Sequence, residues 1–427
     1  MSIYFSAMAY LEGRFKSDII EAMQKVAEPR GFGGEQLGEN FFAILLCNTA
    51  YMEVNFEGEA VTLYLQGTPT GPGAHAAGID FMEALEEKTG LVFSVDDQTE
   101  YFETRDFKAL QAKYAAWLQN VVTFARDRMQ KEPGGTIAAG WAPDWYRPTV
   151  KPGSLLTHMG VFAVGELVAW TMEAGIEPFA REFFLWYNKD RDGLFHRNNA
   201  IALLWKECMF MSSGRSSRDR GVNGAIIEWL EAAAKMDPAL PFPKEEYREV
   251  CTLAEHKPIK TDHLSSYDLF DVIGYRRGNV TYFIANQNMT LPGYFIEGRS
   301  RDGKALVFFD ANNGLDWHRI TIWPRSLEGA FEGFDEAFFS GSVGELEDFD
   351  FPDGGKGRIA YKGLEKNESG GKEYVVRAEL VSPNHENFIA IAFGKESEKD
   401  WAVDLIYSMR VQELDIIKSA ENGEDRQ

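Results

Sequence analysis

His75, Asp96 and Asp97 are the residues of this chain whose types could together do acid–base or metal chemistry. A histidine between two carboxylates can move a proton or hold a cation when all three reach one point. His75 closes the segment Gly67-Thr-Pro-Thr-Gly-Pro-Gly-Ala-His75, and Asp96 and Asp97 follow the short apolar run Leu91–Val95. A helix starting at Ala74, just behind Gly71 and Gly73, would present free N–H groups and a positive dipole end that suit a phosphate or carboxylate. Gly71, Gly73, His75, Asp96 and Asp97 are therefore the candidate ligand-binding residues. Stricter signatures fail. No Lys-Ser/Thr pair follows Gly73 as a P-loop requires, and the spacing is not that of a dinucleotide fingerprint. The competing reading is a tight strand-to-helix turn whose glycines let the helix pack close to its sheet.

The elements that must position these residues are legible. Val61, Leu63 and Leu65 alternate with polar neighbours, the period of a strand, and Ile79, Met82 and Leu85 then recur at helical spacing. Strands are also predicted at Phe41–Cys47, Tyr51–Phe56 and Leu91–Val95, with Glu57-Gly58-Glu59 as a hairpin turn. Ser17 is predicted to cap one helix, and Asp106 a long one carrying Leu110, Tyr114, Trp117, Leu118 and Val122.

Two arginine groups are candidates for contact with an anion or a partner: Arg215, Arg218 and Arg220 in Gly214–Gly221, and Arg276 with Arg277. Guanidinium forks suit carboxylate or phosphate, although solvated loops paired with nearby acids give the same pattern. Both loops are expected to be exposed. Asn188-Lys-Asp-Arg-Asp-Gly193 imitates a calcium loop, but Asn199 stands where the bidentate Glu must be. His256 and His263 lie across Pro258 at a poor ligand spacing. With no nucleophile elbow and no zinc-protease motif either, no catalytic residue, metal or cofactor is expected, and an enzyme is disfavoured.

A formal charge of −22 argues against nucleic acid, whose phosphates would be repelled, and suits a basic protein partner. Cys47, Cys208 and Cys251 make neither a disulfide framework nor a zinc spacing, so reduced thiols and a cytoplasmic location are expected. The start of the chain lacks a signal-peptide pattern, and Leu155–Met172, interrupted by His158 and Glu166, reads as a buried helix rather than a membrane span.

In order, the chain reads as multidomain α+β. Residues 1–135 should form an antiparallel sheet with helices, and 136–260 an irregular helical region. Residues 261–427 should form an antiparallel sheet with a late helix that Ser397 caps. Strands at Asp268–Arg276, Val280–Ala285, Tyr294–Ser300 and Lys304–Phe309 are predicted, with hairpin turns at Arg277-Gly-Asn279 and Asp302-Gly303. The turn Ser369-Gly-Gly371 and a fraying end from Glu421 complete the reading.

The Gly67–His75 segment, Leu240-Pro-Phe-Pro-Lys-Glu-Glu-Tyr247, and Gly274-Tyr-Arg-Arg277 leading to Leu291-Pro-Gly-Tyr-Phe295 resemble a family of bacterial hypothetical proteins. Leu291–Val411 resembles the PsbP-like α/β fold: a Pro-x-x-Phe strand start, Asp-Gly turns, and a closing amphipathic helix from Trp401. PsbP-like domains mostly bind or assemble, so the resemblance implies a noncatalytic role and transfers no functional residues. The expected function is a non-enzymatic binding protein of the inhibitor, immunity or adaptor kind. The alternative is an enzyme or sensor that holds an anionic small molecule at Gly67–His75.

Overall fold

A computed structural model of the chain describes residues 3–48, 50–68, 70–141, 146–148, 150–214, 216–310, 317–327, 331–343, 346–351, 354–366 and 371–411. Arg215, the Ser369-Gly370 turn and the residues from Glu421 lie outside that set. The chain is α+β and divides into two compact units, drawn from 1–141 with 150–274 and from 142–149 with 275–416.

The first unit carries a six-stranded sheet: β1 (Tyr4–Tyr10), β2 (Gly33–Gln36), β3 (Phe41–Cys47), β4 (Ala50–Glu57), β5 (Ala60–Gln66) and β6 (Ser94–Asp97). Its order is β2-β3-β4-β5-β1-β6, with every neighbouring pair antiparallel. Alternation sends Phe5, Ala7, Val54, Leu63 and Leu65 to a buried face. Helices α1 (Lys16–Ala27) and α2 (Pro72–Thr89) bury Ile19, Met23, Ile79, Met82 and Leu85. At Gly78 a Cβ would lie 2.8 Å from Leu65 Cδ2, so this glycine lets α2 lie close on the sheet.

Helix α3 (Tyr101–Thr104) precedes α4 (Phe107–Lys131), which starts where the Asp106 side chain accepts from the Lys108 and Ala109 amides. The helical region holds α5 (Val164–Ala174), α6 (Ile176–Phe183), α7 (Gly193–Lys206), α8 (Ser217–Met236) and α9 (Lys244–Leu253). It shares the first unit with the sheet: Thr70 and Gly73 bond the Trp186 backbone, and Tyr114 and Trp117 of α4 pack on the Phe184 ring.

Several local expectations are corrected. Leu155–Met172 is not one helix. Ser154–Thr157 and Gly160–Ala163 pair as a hairpin before α5, and Gly160 sits at φ +140°, where a helix cannot continue. Phe15, not Ser17, is the N-cap of α1, which places Ser17 inside the first turn. Ser397 caps nothing, because a 3₁₀ turn at Glu396–Glu398 precedes the late helix Lys399–Ser408. No strand spans Asp268–Arg276. The hairpin pairs Asn279–Ile284 with Gln287–Pro292 and turns at Ala285-Asn286, both at positive φ.

In the second unit a seven-stranded antiparallel sheet runs in the order Phe295–Arg299, Leu306–Asp310, His318–Ser326, His385–Phe393, Lys372–Ser382, Lys356–Lys366, Glu347–Asp350. The late helix buries Ala402, Leu405 and Ile406. Among the described residues no helix is long and apolar enough to cross a membrane.

Candidate functional site at His75

Strand alternation decides which carboxylate His75 meets. On β6, Asp97 turns inward while Asp96 faces outward and accepts from Tyr4 Oη at 3.2 Å. The expected pair of carboxylates around one histidine is therefore split between the two faces of the sheet. His75 and the Asp97 side chain are wholly buried, with His75 Nε2 2.9 Å from Asp97 Oδ1 and 3.1 Å from Thr99 Oγ1. On the other side of the ring, Nδ1 lies 3.2 Å from Tyr114 Oη.

The proton inventory closes. Asp97 also accepts from the Thr99 amide at 2.9 Å, the Thr99 hydroxyl at 2.7 Å and the Phe102 amide at 2.8 Å. Burial alone would raise the Asp97 carboxyl, but hydrogen bonds from His75, Thr99 and Phe102 and the nearby imidazole hold it well below the usual carboxylate range. An ionised Asp97 accepts a hydrogen bond from Nε2–H, which leaves Nδ1 to accept from Tyr114. The Tyr114 hydroxyl, fully buried and facing the Asp97 charge, is pushed well above its ordinary value and stays a donor. A substrate at His75 would have to displace one of these partners. The cluster is a buried clamp.

Thr99 and Tyr114 were absent from the candidate residues. Asp97-Gln-Thr99 forms an Asx turn, a local signal that could have named Thr99. Tyr114 carried only the signal of a helix core position. Gly67 belongs with them, since a Cβ there would sit 1.8 Å from Tyr114 Oη.

The helix tip is equally closed. Gly71 is the N-cap of α2 at φ +109°, and Pro72 has no N–H to offer. The Gly73 amide donates to Trp186 O at 2.8 Å, and the Trp186 amide donates to Thr70 O at 2.9 Å. The carbonyl of Trp186 thus stands where an anion would stand. A Cβ at Gly71 would lie 2.7 Å from Trp186 O, and one at Gly73 would lie 2.0 Å from the Trp186 indole and 2.3 Å from Asn188 O. These two glycines admit the segment Phe184–Asn188 rather than the sheet, while Gly78 serves the sheet.

That segment is held from beneath by Arg197, Asn198 and Asn199 on α7, all fully buried. Asn198 Nδ2 donates to Arg181 O and Phe184 O, Asn199 Nδ2 to Leu185 O, and Arg197 Nη2 to Glu182 at 2.6 Å. A cavity of about 240 Å³ opens beside α2, lined by Arg30, Ala76, Asp80, Trp186, Lys189 and Arg191. Its Arg191 guanidinium is already committed to Arg30 O and Leu46 O and lies over the Trp186 and Phe32 rings.

The arginine candidates separate. Arg218 pairs with Glu207, and Arg220 is exposed on α8. Arg277 is exposed, but Arg276 is buried, which corrects the expectation of an exposed loop. Its Nη1 donates to Tyr282 Oη, Gly293 O and Phe295 O, and its guanidinium lies 4.6 Å from the Tyr146 ring centroid. Among the described residues, no group of three or more His, Cys, Asp or Glu side chains is placed to hold a metal ion.

No protein-family model matches the chain, and no curated protein matches it significantly. Among solved structures, the Saccharomyces cerevisiae Ran-binding protein Mog1p aligns at 11% identity over 31% of this chain and 95% of its own, with a TM-score of 0.21. A mutant of Mog1 aligns at 12% identity over 31% and 96%, also at 0.21. A likeness at that score carries no argument about this chain.

Proposed function

We propose that the chain is a non-enzymatic binding protein that works by protein–protein contact, with a partner of basic surface. One observation carries the reading: the outer face of the six-stranded sheet is aromatic, acidic and uncovered. Tyr10, Tyr51, Leu45 and Met8 are 63, 48, 43 and 40% exposed, and Tyr4 and Tyr64 lie among them with ring centroids 5.9 Å apart. The charged side chains that alternation places on this face are Glu35, Glu53, Glu57 and Asp96, all negative. Exposed apolar surface of this kind, bordered by charge of one sign, suits a protein surface of opposite sign.

The sealed helix tip supports the same reading, because the alternative anionic ligand would have to expel the Trp186 carbonyl. The C-terminal antiparallel sheet with its late helix fits the PsbP-like resemblance, whose members mostly bind or assemble. A cytoplasmic setting and a bacterial source belong to this proposal as well.

The test reverses charge without touching the core. Full-length chain and an E53K/D96K variant are used as baits in lysate of the native host, with a control variant, E103K/E132K, whose changes lie elsewhere on the surface. The expected result is a basic partner held by the unmodified chain and the control, lost on the reversed face, and released by salt. Retention by E53K/D96K would overturn the assignment of the face.

A further inference from the structure

A second constellation lies on α8 and the turn that follows α9, away from His75. Arg220, Gly224, Ile227, Glu228 and Glu231 form one stripe of α8, at the spacings of four, three, one and three that keep side chains on a single helix face. Together with His256 they line an open cavity of about 430 Å³, a size within the usual range for small-molecule sites.

The stripe holds opposite charges that do not meet. The backbones of Arg220 and Glu228 stand two turns apart, about 12 Å along the axis, a span that their long side chains shorten from both ends as they line one cavity, and among the described residues neither makes an ion pair. Gly224 stands between them. A Cβ built there meets nothing within 4 Å, so the bare backbone is the floor of a gap. Glycine in mid-helix is unfavourable by about 1 kcal/mol relative to alanine, and no close neighbour here requires it.

The histidine is held in one orientation. Glu231 Oε1 accepts from Tyr247 Oη at 2.7 Å and from His256 Nε2 at 2.9 Å, while Tyr247 Oη accepts from the Ile259 amide at 2.9 Å. With Nε2 carrying the proton, His256 Nδ1 is left as an acceptor. The His256 side chain is 43% exposed.

We propose that this cavity binds a small zwitterion of the α-amino acid class. The Arg220 fork takes the carboxylate, Glu228 and His256 Nδ1 accept from the ammonium, and Ile227 with Ala254 meets the apolar side chain. A simple anion would face two carboxylates for one guanidinium. A simple amine would leave the guanidinium unmatched. Only a ligand bearing both charges answers both ends of the gap.

The experiment uses the full chain. The standard amino acids are screened by thermal shift, and apolar ones such as leucine are titrated calorimetrically beside 4-methylpentanoate, which lacks the ammonium, and 3-methylbutylamine, which lacks the carboxylate. At least one amino acid is expected to saturate, with both truncated analogues at least tenfold weaker. Arg220→Gln and Glu228→Gln should each weaken binding at least tenfold. Gly224→Leu, which fills the gap with a better helix former, should abolish binding while the melting midpoint holds or rises. The proposal is overturned if no amino acid at about 10 mM raises the midpoint of the unmodified chain. It also falls if a truncated analogue binds as well as its parent, or if Gly224→Leu binds normally.

Discussion

Glu379 makes the stability of the second unit depend on pH. It sits on the strand Lys372–Ser382 with none of its surface exposed. Its Oε2 accepts from the Asp335 amide at 2.8 Å, and its Oε1 has no partner among the described residues. Burial, opposed by that amide and reinforced by Glu386, pushes the carboxyl up from the ordinary 4.5 to about 7. Arg325 lies 3.4 Å from Glu386 Oε2, which leaves Glu386 as the acceptor of the pair. An ionised Glu379 has nothing to donate to it, whereas a protonated one has an O–H to give.

The folded carboxyl binds its proton more tightly than the unfolded one. Its contribution is therefore fully present below pH 4.5 and is lost as pH rises through 7. The gap between the two values corresponds to about 3 kcal/mol. Glu379→Gln stays neutral at every pH and keeps a donor for Glu386. Relative to the unmodified chain it should gain about 2–3 kcal/mol between pH 5 and pH 8. Urea unfolding at both pH values measures the difference. Hydrogen exchange at the amides of Val376, Ala378 and Leu380 places it in this sheet. A variant-minus-native difference equal at the two pH values would refute the reasoning.

The remaining predictions concern the first unit. Gly67→Ala puts a methyl group into the Tyr114 hydroxyl and breaks its hydrogen bond to His75, which should cost about 2–4 kcal/mol in a urea titration. Asp97→Asn should destabilise the chain at pH 7 by a similar amount. The Asp97 contribution exists above the ordinary carboxylate value and fades as pH falls below it, so the deficit should shrink in acid unfolding. Gly73→Ala, whose Cβ overlaps the Trp186 indole, should lower the melting midpoint, and phosphate should not restore it.

How much of this was legible follows from how local each cause is. The start of α4 could be read because Asp106 reaches amides two and three residues away. The β4–β5 turn could be read because Gly58 takes φ +58° where glycine is favoured. The turn at Ala285-Asn286 could not: an alanine at φ +44° is paid for by the ladders around it, and no sequence rule places it there. Arg197-Asn198-Asn199 looks like a solvated polar run near the start of a helix. Asn198 and Asn199 are buried because the carbonyls of Arg181, Phe184 and Leu185, freed where α6 ends, need donors that only the tertiary fold supplies, and Arg197 is buried against the Glu182 carboxylate. Of the candidate site, the meeting of His75 with Asp97 was within reach, but its completion by Tyr114 and Trp186 was not, since both come from distant stretches.

Two of the histidine–carboxylate pairs, His75–Asp97 and His256–Glu231, differ in burial, and burial separates their outcomes. His75 and Asp97 have no exposed side-chain surface, and both nitrogens of the ring are committed. His256 and Glu231 are 43 and 30% exposed, with Glu231 steadied by Tyr247 and one ring nitrogen open to the cavity. A buried polar network gains rigidity only when every member is satisfied, and a satisfied network has no valence left for a ligand. Sequence reasoning goes to His75 because glycines and prolines mark its loop, yet those glycines are what allow the chain to fill its own site. His256 lacks such a marker, and the gap beside it is kept by a glycine on the neighbouring helix. If the cavity on α8 takes an amino acid while phosphate and nucleotides leave His75 untouched, the loop is architecture and the helical face is the chemistry.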